Sequence, residues 1–406
     1  MAQKQKKKKW IRWRHRISRA LAGIVLVPYQ RLKYGIRPAR FREQGNRPYL
    51  ILYNHQTPFD QFFVGASFRG PVYYVATEDL FSNGWISSLI RFLVAPIPIV
   101  KQTTDISAVM TILRVAREGG TIAIAPEGNR TYSGRTETVS PSIAPLARKT
   151  GLPIALYRIE GGYGKEPRWS DCVRKGRMRS GVVRVIEPEE YAGWDNDRLY
   201  SEILRGITVD ENVPDALFRS NRRAEYLERC MYYCPFCGLS VFESAGNRAT
   251  CQTCGTRIEY GEDKRLSGLD RDFPFRFIGD WYDAQEAFVR TLDLSAYRSE
   301  PAYRDRADCS RVVLFSKKVP LRKKAALALY GDRISVDEGE PGEIILPFGE
   351  LTAAAVLGRN KLNLYHGETV YQFRGDKRFN AVKYVNFFYR WVSENKGDGN
   401  GEFLGL

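Results

Sequence analysis

Between residues 49 and about 215, short β-favouring runs alternate with runs of helical spacing, and this alternation constrains the fold more than any other feature. The strand-like run at Tyr49–Tyr53 is followed by the helical FDQFFVGASF, then PVYYVATEDLF, WISSLIRFLVAPIPIVKQT and the helical DISAVMTILRVAREGG. Next come TIAIAPEGNR, the helical PSIAPLARKTG, the strand-like LPIALYRIEGG and VVRVIEPEE, and the helical NDRLYSEILRGI. Such a pattern predicts an α/β sandwich around a mixed, largely parallel sheet. In sheets of this class the chemistry sits in loops at strand ends.

Two of those loops carry reactive residues. The run YLILYNHQTPFD delivers His55 from a strand into a turn, with Asp60 five positions on. A histidine leaving a strand and a carboxylate folded back by a turn make a base and the group that orients it. The run TIAIAPEGNR stops a second strand at Pro126 and releases Glu127, Gly128, Asn129 and Arg130. Gly128 permits close backbone approach, and the planar fork of Arg130 suits a phosphate or carboxylate.

NHQTPFD and PEGNR, in this order and about 70 residues apart, resemble the paired motifs of the glycerolipid acyltransferase family. Its best-known members acylate 1-acyl-sn-glycerol-3-phosphate to phosphatidic acid. The resemblance implies an O-acyltransferase that takes a fatty acyl group from acyl-CoA or acyl carrier protein and gives it to a lysophospholipid hydroxyl. It implies His55 as general base, Asp60 as its orienting partner, and Glu127, Gly128 and Arg130 as residues that position the acceptor. The family also has a basic strand-end residue for the glycerol phosphate, more often Arg. Here the corresponding residue is Lys101, which reads equally well as an ordinary strand-end lysine. Where the family shows a second proline after Pro153, this chain has Leu156. No covalent acyl-enzyme is needed, and neither Cys172 nor Cys309 has a motif that argues for one.

The net charge of +17 is unevenly spread: residues 1–42 hold fourteen Lys and Arg and no acid, leaving about +3 for the other 364. Trp10 and Trp13 stand among these cations, ahead of an apolar patch at Leu21, Ile24, Val25, Leu26 and Val27. Residues 1–48 are therefore expected to form a basic amphipathic segment lying on an anionic membrane. A basic arm for nucleic acid is the alternative. The near-neutral remainder speaks against nucleic acid as a partner. The longest apolar run, Ala20–Pro28, is too short to span a bilayer, and no secretory signal is seen. The expectation is a cytoplasmic protein, peripheral on the inner face of the membrane.

Cys234, Cys237, Cys251 and Cys254 read C-x2-C-x13-C-x2-C, with Gly238 and Gly255 after the pairs. Two such knuckles complete a tetrahedral thiolate site, and with strand-like text between them the segment resembles a zinc ribbon holding structural Zn2+. An iron–sulfur or redox site is the alternative. Cys230 lies outside the spacing and reads as a spare thiol.

The remaining boundaries follow from composition. Residues 49–215 form the acyltransferase domain, 216–262 a polar linker helix and the zinc ribbon, and 263–310 a connecting segment with a helix at DWYDAQEAFVRTL. Over 311–396, short β runs with Gly-rich turns precede the amphipathic FNAVKYVNFFYRWVSEN, an order that resembles the pleckstrin-homology-like fold. His366 reads as a solvated turn histidine with no partner. A different class of function, a non-catalytic membrane scaffold recruiting partners through the zinc ribbon and β domain, is disfavoured by the intact His55, Asp60, Glu127, Gly128 and Arg130.

Overall fold

The structure, a computed structural model, describes residues 9–99, 105–313 and 316–396. The chain packs as two compact units: one runs through Glu127 and adds Val139–Glu160 and Met178–Val209, and the other holds Gly128–Thr138, Gly161–Arg177 and the chain from Asp210.

The first unit is built on a six-stranded sheet of β1 (Leu50–Tyr53), β2 (Val72–Thr77), β3 (Ile97–Ile99), β4 (Thr121–Ile124), β5 (Ile154–Glu160) and β6 (Arg179–Ile186). The order is β3-β2-β4-β1-β5-β6. All pairs are parallel except β5 with β6. This is the mixed, largely parallel sheet expected. β1 lies inside it, with Leu50 opposite Ile122 of β4 and Ile154 of β5. Strands covered on both faces read as continuous apolar runs, which is why LILY and TIAI show no polar alternation and are buried throughout.

Helices α1 (Trp13–Tyr34), α2 (Asp60–Ser67), α3 (Trp85–Val94), α4 (Ile106–Arg117) and α5 (Ile143–Thr150), with the helix Asn196–Ile207, surround the sheet. α4 starts where Asp105 accepts the Ala108 N–H at 2.9 Å, and it buries Ala108, Ile112, Val115 and Ala116 at helical spacing. In the helix Asn196–Ile207, Gly206 allows close approach to β5: a Cβ there would sit 2.3 Å from Leu156 Cδ1. Leu156 is fully buried in the core, contributing about 2 kcal/mol of hydrophobic stabilisation.

The second unit has three antiparallel sheets. β7 (Tyr233–Cys234) pairs with β8 (Gly238–Leu239), and β9 (Phe242–Ala245), β10 (Arg248–Cys251), β11 (Arg257–Tyr260) and β12 (Leu266–Gly268) run in order β12-β11-β10-β9. After the helix Ile278–Arg290 come β13 (Tyr303–Val312), β14 (Val319–Leu329), β15 (Arg333–Val336), β16 (Ile344–Pro347), β17 (Leu351–Leu357), β18 (Lys361–His366) and β19 (Thr369–Gly375). They form one sheet of order β16-β15-β14-β13-β19-β18-β17, against which the helix Val382–Lys396 packs. A single apolar core runs from Tyr132 and Trp169 through Phe242 and Ile258 to Leu327, Leu364, Val385 and Phe388. Cys230 lies within it, fully buried.

The linker helix expected in residues 216–232 does not form; only a 3-10 turn at Leu227–Arg229 does. Side chains take the amides a helix would use: Ser220 Oγ accepts the Arg222 N–H, Asn247 Oδ1 that of Arg223, and Ser244 Oγ that of Tyr226. Tyr226 is also left-handed, at φ +71°. His366, expected to be partnerless, lies 2.9 Å from Glu350 Oε2, because the β17–β18 pairing brings the two strand ends together.

Candidate active site and cysteine cluster

β1 ends at Tyr53, and the next residue fixes the loop. Asn54 is buried, its amide donating to the Ile159 carbonyl and accepting the Ile159 N–H, both at 2.8 Å. This two-point tie to β5 sets the direction in which His55 leaves the sheet. Asp60, the first residue of α2, is fully buried, and four donors converge on it. Oδ2 accepts from the Gln56 N–H at 2.6 Å, the Thr57 N–H at 2.9 Å and His55 Nδ1 at 2.8 Å; Oδ1 accepts from Thr57 Oγ1 at 2.6 Å. A carboxylate offers no proton, so the ring nitrogen facing it is Nδ1–H, and the tautomer leaves a lone pair on Nε2. The His55 side chain is 22% exposed.

Glu127 follows β4, and its Oε1 accepts the His55 N–H at 2.6 Å. His55 is thus tied by its main chain to Glu127 and by its ring to Asp60. Burial raises the Tyr53 phenol far above its ordinary pKa, and the Asp60 and Glu127 charges add to this, so it stays neutral beneath the histidine, 6.2 Å between ring centroids.

Gly128 and Arg130 belong to the second unit. Gly128 has φ +69° with open space where a Cβ would be, so glycine is required there for conformation, not room. Arg130 is 8% exposed, and its Nη1 is buried with no hydrogen-bond partner. Burial, then the Arg168 and Arg359 charges, lowers its pKa to about 10. A buried guanidinium with an unused donor is able to take an oxygen acceptor, and a charge-assisted bond to an anion would be among the stronger ones. Lys101 lies outside the described residues.

The four predicted cysteines come together, their sulfurs all within 4.8 Å of one another. Cys234–Cys254, Cys237–Cys251 and Cys251–Cys254 are 3.7, 3.6 and 3.5 Å apart, too long for disulfides. A tetrahedron with metal–sulfur bonds of about 2.3 Å has edges of about 3.8 Å, so the cluster fits Zn2+. Gly238 and Gly255, at φ +80° and +74°, form the knuckle turns. Ser240 Oγ lies 2.9 Å from Cys251 Sγ and Thr256 Oγ1 3.1 Å from Cys254 Sγ, hydroxyls placed to support thiolates.

Sequence reading passed over Asn54 and Thr57, although both lie in the motif it quoted. It also missed Arg168, whose surroundings EPRW carry no recognisable signal.

Residues 35–158, which contain His55, Asp60, Glu127, Gly128 and Arg130, match the Acyltransferase family model. The chloroplastic 1-acyl-sn-glycerol-3-phosphate acyltransferase BAT2 of Brassica napus is 23% identical over 208 residues, 50% of this chain and 57% of that protein. The 1-acyl-sn-glycerol-3-phosphate acyltransferase of Bacillus subtilis (strain 168) is 32% identical over 122 residues, 30% of this chain and 57% of that protein. The crystal structure of the 1-acyl-sn-glycerophosphate acyltransferase PlsC from Thermotoga maritima aligns at TM-score 0.39 and 18% identity, over 48% of this chain and 82% of that one. The chain spans little more than half the length of the curated relatives it matches.

Proposed function

We propose that the protein transfers a fatty acyl group from an acyl thioester, on coenzyme A or acyl carrier protein, to the hydroxyl of a lysophospholipid, 1-acyl-sn-glycerol-3-phosphate first among them. The observation that carries this reading is the His55–Asp60 pair, with its carboxylate held by four donors in the segment that matches the acyltransferase family. His55 Nε2 takes the proton from the acceptor hydroxyl as that oxygen attacks the thioester carbonyl carbon. Asp60 stabilises the imidazolium that forms. The tetrahedral intermediate collapses by breaking the carbon–sulfur bond, and the imidazolium returns the proton to the leaving thiolate. The lipid supplies the nucleophile, so no acyl-enzyme intervenes. A positioned base of this kind contributes roughly 10²–10⁴-fold in rate. Arg130, with its unused buried donor, takes the acceptor's phosphate. The four thiolates would hold a Zn2+ whose contribution is structural, because four protein ligands leave no open coordination position.

Membrane binding at the surface is part of the same proposal. No helix among the described residues is long and apolar enough to cross a membrane. α1 exposes Trp13, Leu21, Ile24, Val25 and Leu32, and α3 exposes Trp85 and Phe92. Arg14 joins the two helices, its guanidinium 4.1 Å from the Phe92 ring centre and its Nε donating to the Phe92 carbonyl. Apolar side chains set among cations suit an anionic bilayer interface.

The test is a mass-spectrometric transfer assay with acyl-CoA, acyl carrier protein and a panel of lysolipids in anionic or neutral vesicles. Acylation of a phosphate-bearing lysolipid, with the protein sedimenting with anionic vesicles only, is the expected result. No acyl transfer to any member by folded protein would overturn the reading.

A further inference from the structure

Arg168 is 1% exposed, and its guanidinium is fully engaged within the second unit. Nε donates to the Gly358 carbonyl at 2.7 Å, Nη1 to the Arg130 carbonyl at 2.9 Å, and Nη2 to the Val356 carbonyl at 2.8 Å and Asn129 Oδ1 at 3.4 Å. Its guanidinium carbon lies 4.2 Å from the Tyr132 ring centre, and the Tyr132 hydroxyl donates to the Arg359 carbonyl at 2.5 Å. One buried cation therefore ties the Arg130 carbonyl and the Asn129 side chain to the end of β17 and the turn that follows it. Neighbouring arginines are used differently. Arg359 is ion-paired with Glu166 Oε1 at 2.6 Å and Asp171 Oδ1 at 3.4 Å, although its Nε, like Arg130 Nη1, is buried without a hydrogen-bond partner; Arg130 has no such carboxylate among the described residues.

We propose that Arg168 is a positioning residue for Arg130, and that the β17–β18 turn of the C-terminal sheet is a working part of the anion-binding loop. The proposal rests on the reading of Arg130 as the acceptor's phosphate ligand. A guanidinium is suited to the task because its rigid fork serves several carbonyls in fixed directions, which a lysine ammonium on a flexible stem does not. The C-terminal sheet then contributes to acceptor affinity without touching the lipid.

The experiment measures KM for the phosphate-bearing lysolipid and for the acyl thioester in wild type, Arg130→Ala, Arg168→Gln, Arg168→Lys and Tyr132→Phe, with thermal melting as a check on folding. Arg130→Ala and Arg168→Gln should each raise acceptor KM about tenfold or more, with thioester KM within about threefold of wild type. Arg168→Lys should not restore it, and Tyr132→Phe should raise acceptor KM by about threefold. If Arg130→Ala raises acceptor KM but folded Arg168→Gln and Tyr132→Phe do not, the positioning role is wrong and the reading of Arg130 stands. If Arg130→Ala leaves acceptor KM unchanged, the reading of Arg130 falls and the proposal with it. Should Arg168→Gln fail to fold, Tyr132→Phe decides.

Discussion

At Asp60 a single carboxylate does two jobs, closing a turn and fixing the orientation of the His55 ring. It accepts two backbone amides and a hydroxyl as well as His55 Nδ1, so it holds the loop as well as the ring. Asp60→Asn would place an amide NH2 among donors and remove the charge that stabilises the imidazolium. We expect kcat to fall by roughly 10⁴-fold, as when an orienting carboxylate is lost elsewhere, and stability to fall by about 1–3 kcal/mol. Steady-state kinetics and thermal melting check both, and a folded Asp60→Asn protein with more than a tenth of wild-type activity would contradict the account. The pair was legible in the sequence because only the four residues of one turn separate its members. Asn54 was not, because its partner Ile159 lies 105 positions away and nothing local marks it.

Among the elements, long periodic segments were read well. The α/β alternation placed all six strands of the first unit, since buried parallel strands are continuous apolar runs between turn signals. Failures came where polar side chains compete for the backbone. FRSNRRAEYLERC has the composition of an exposed helix, yet Ser220, Asn247 and Ser244 capture its amides, and two of those three lie outside the segment. The exposure of α3 was also hidden: helical spacing gives an apolar face but not whether anything covers it.

Across the whole molecule, packing does not follow the order of the chain. Segments 128–138 and 161–177 lie between core strands in sequence but pack with the C-terminal sheet and the cysteine cluster. The four clustered cysteines were legible from spacing alone; the core that Cys234 and Cys251 share with Tyr132 and Trp169 was not, because it is assembled from distant segments. Elemental analysis should give one zinc per chain. Metal removal by a chelator should lower the melting temperature of the second unit by on the order of 10 °C and raise acceptor KM, because Arg130 belongs to that unit. Metal-free protein with unchanged melting would show that the thiol cluster carries no structural load.

The most direct test of the central claim compares wild type with His55→Ala in acyl transfer to 1-acyl-sn-glycerol-3-phosphate across roughly pH 5–8. On the proposed reading the base is the neutral His55 imidazole, so wild-type kcat/KM should fall as acid protonates it, and folded His55→Ala should lose at least about 10²-fold with no such acid limb. A pH-independent wild-type rate, or a His55→Ala protein that transfers acyl groups at a comparable rate, would contradict His55 as the base.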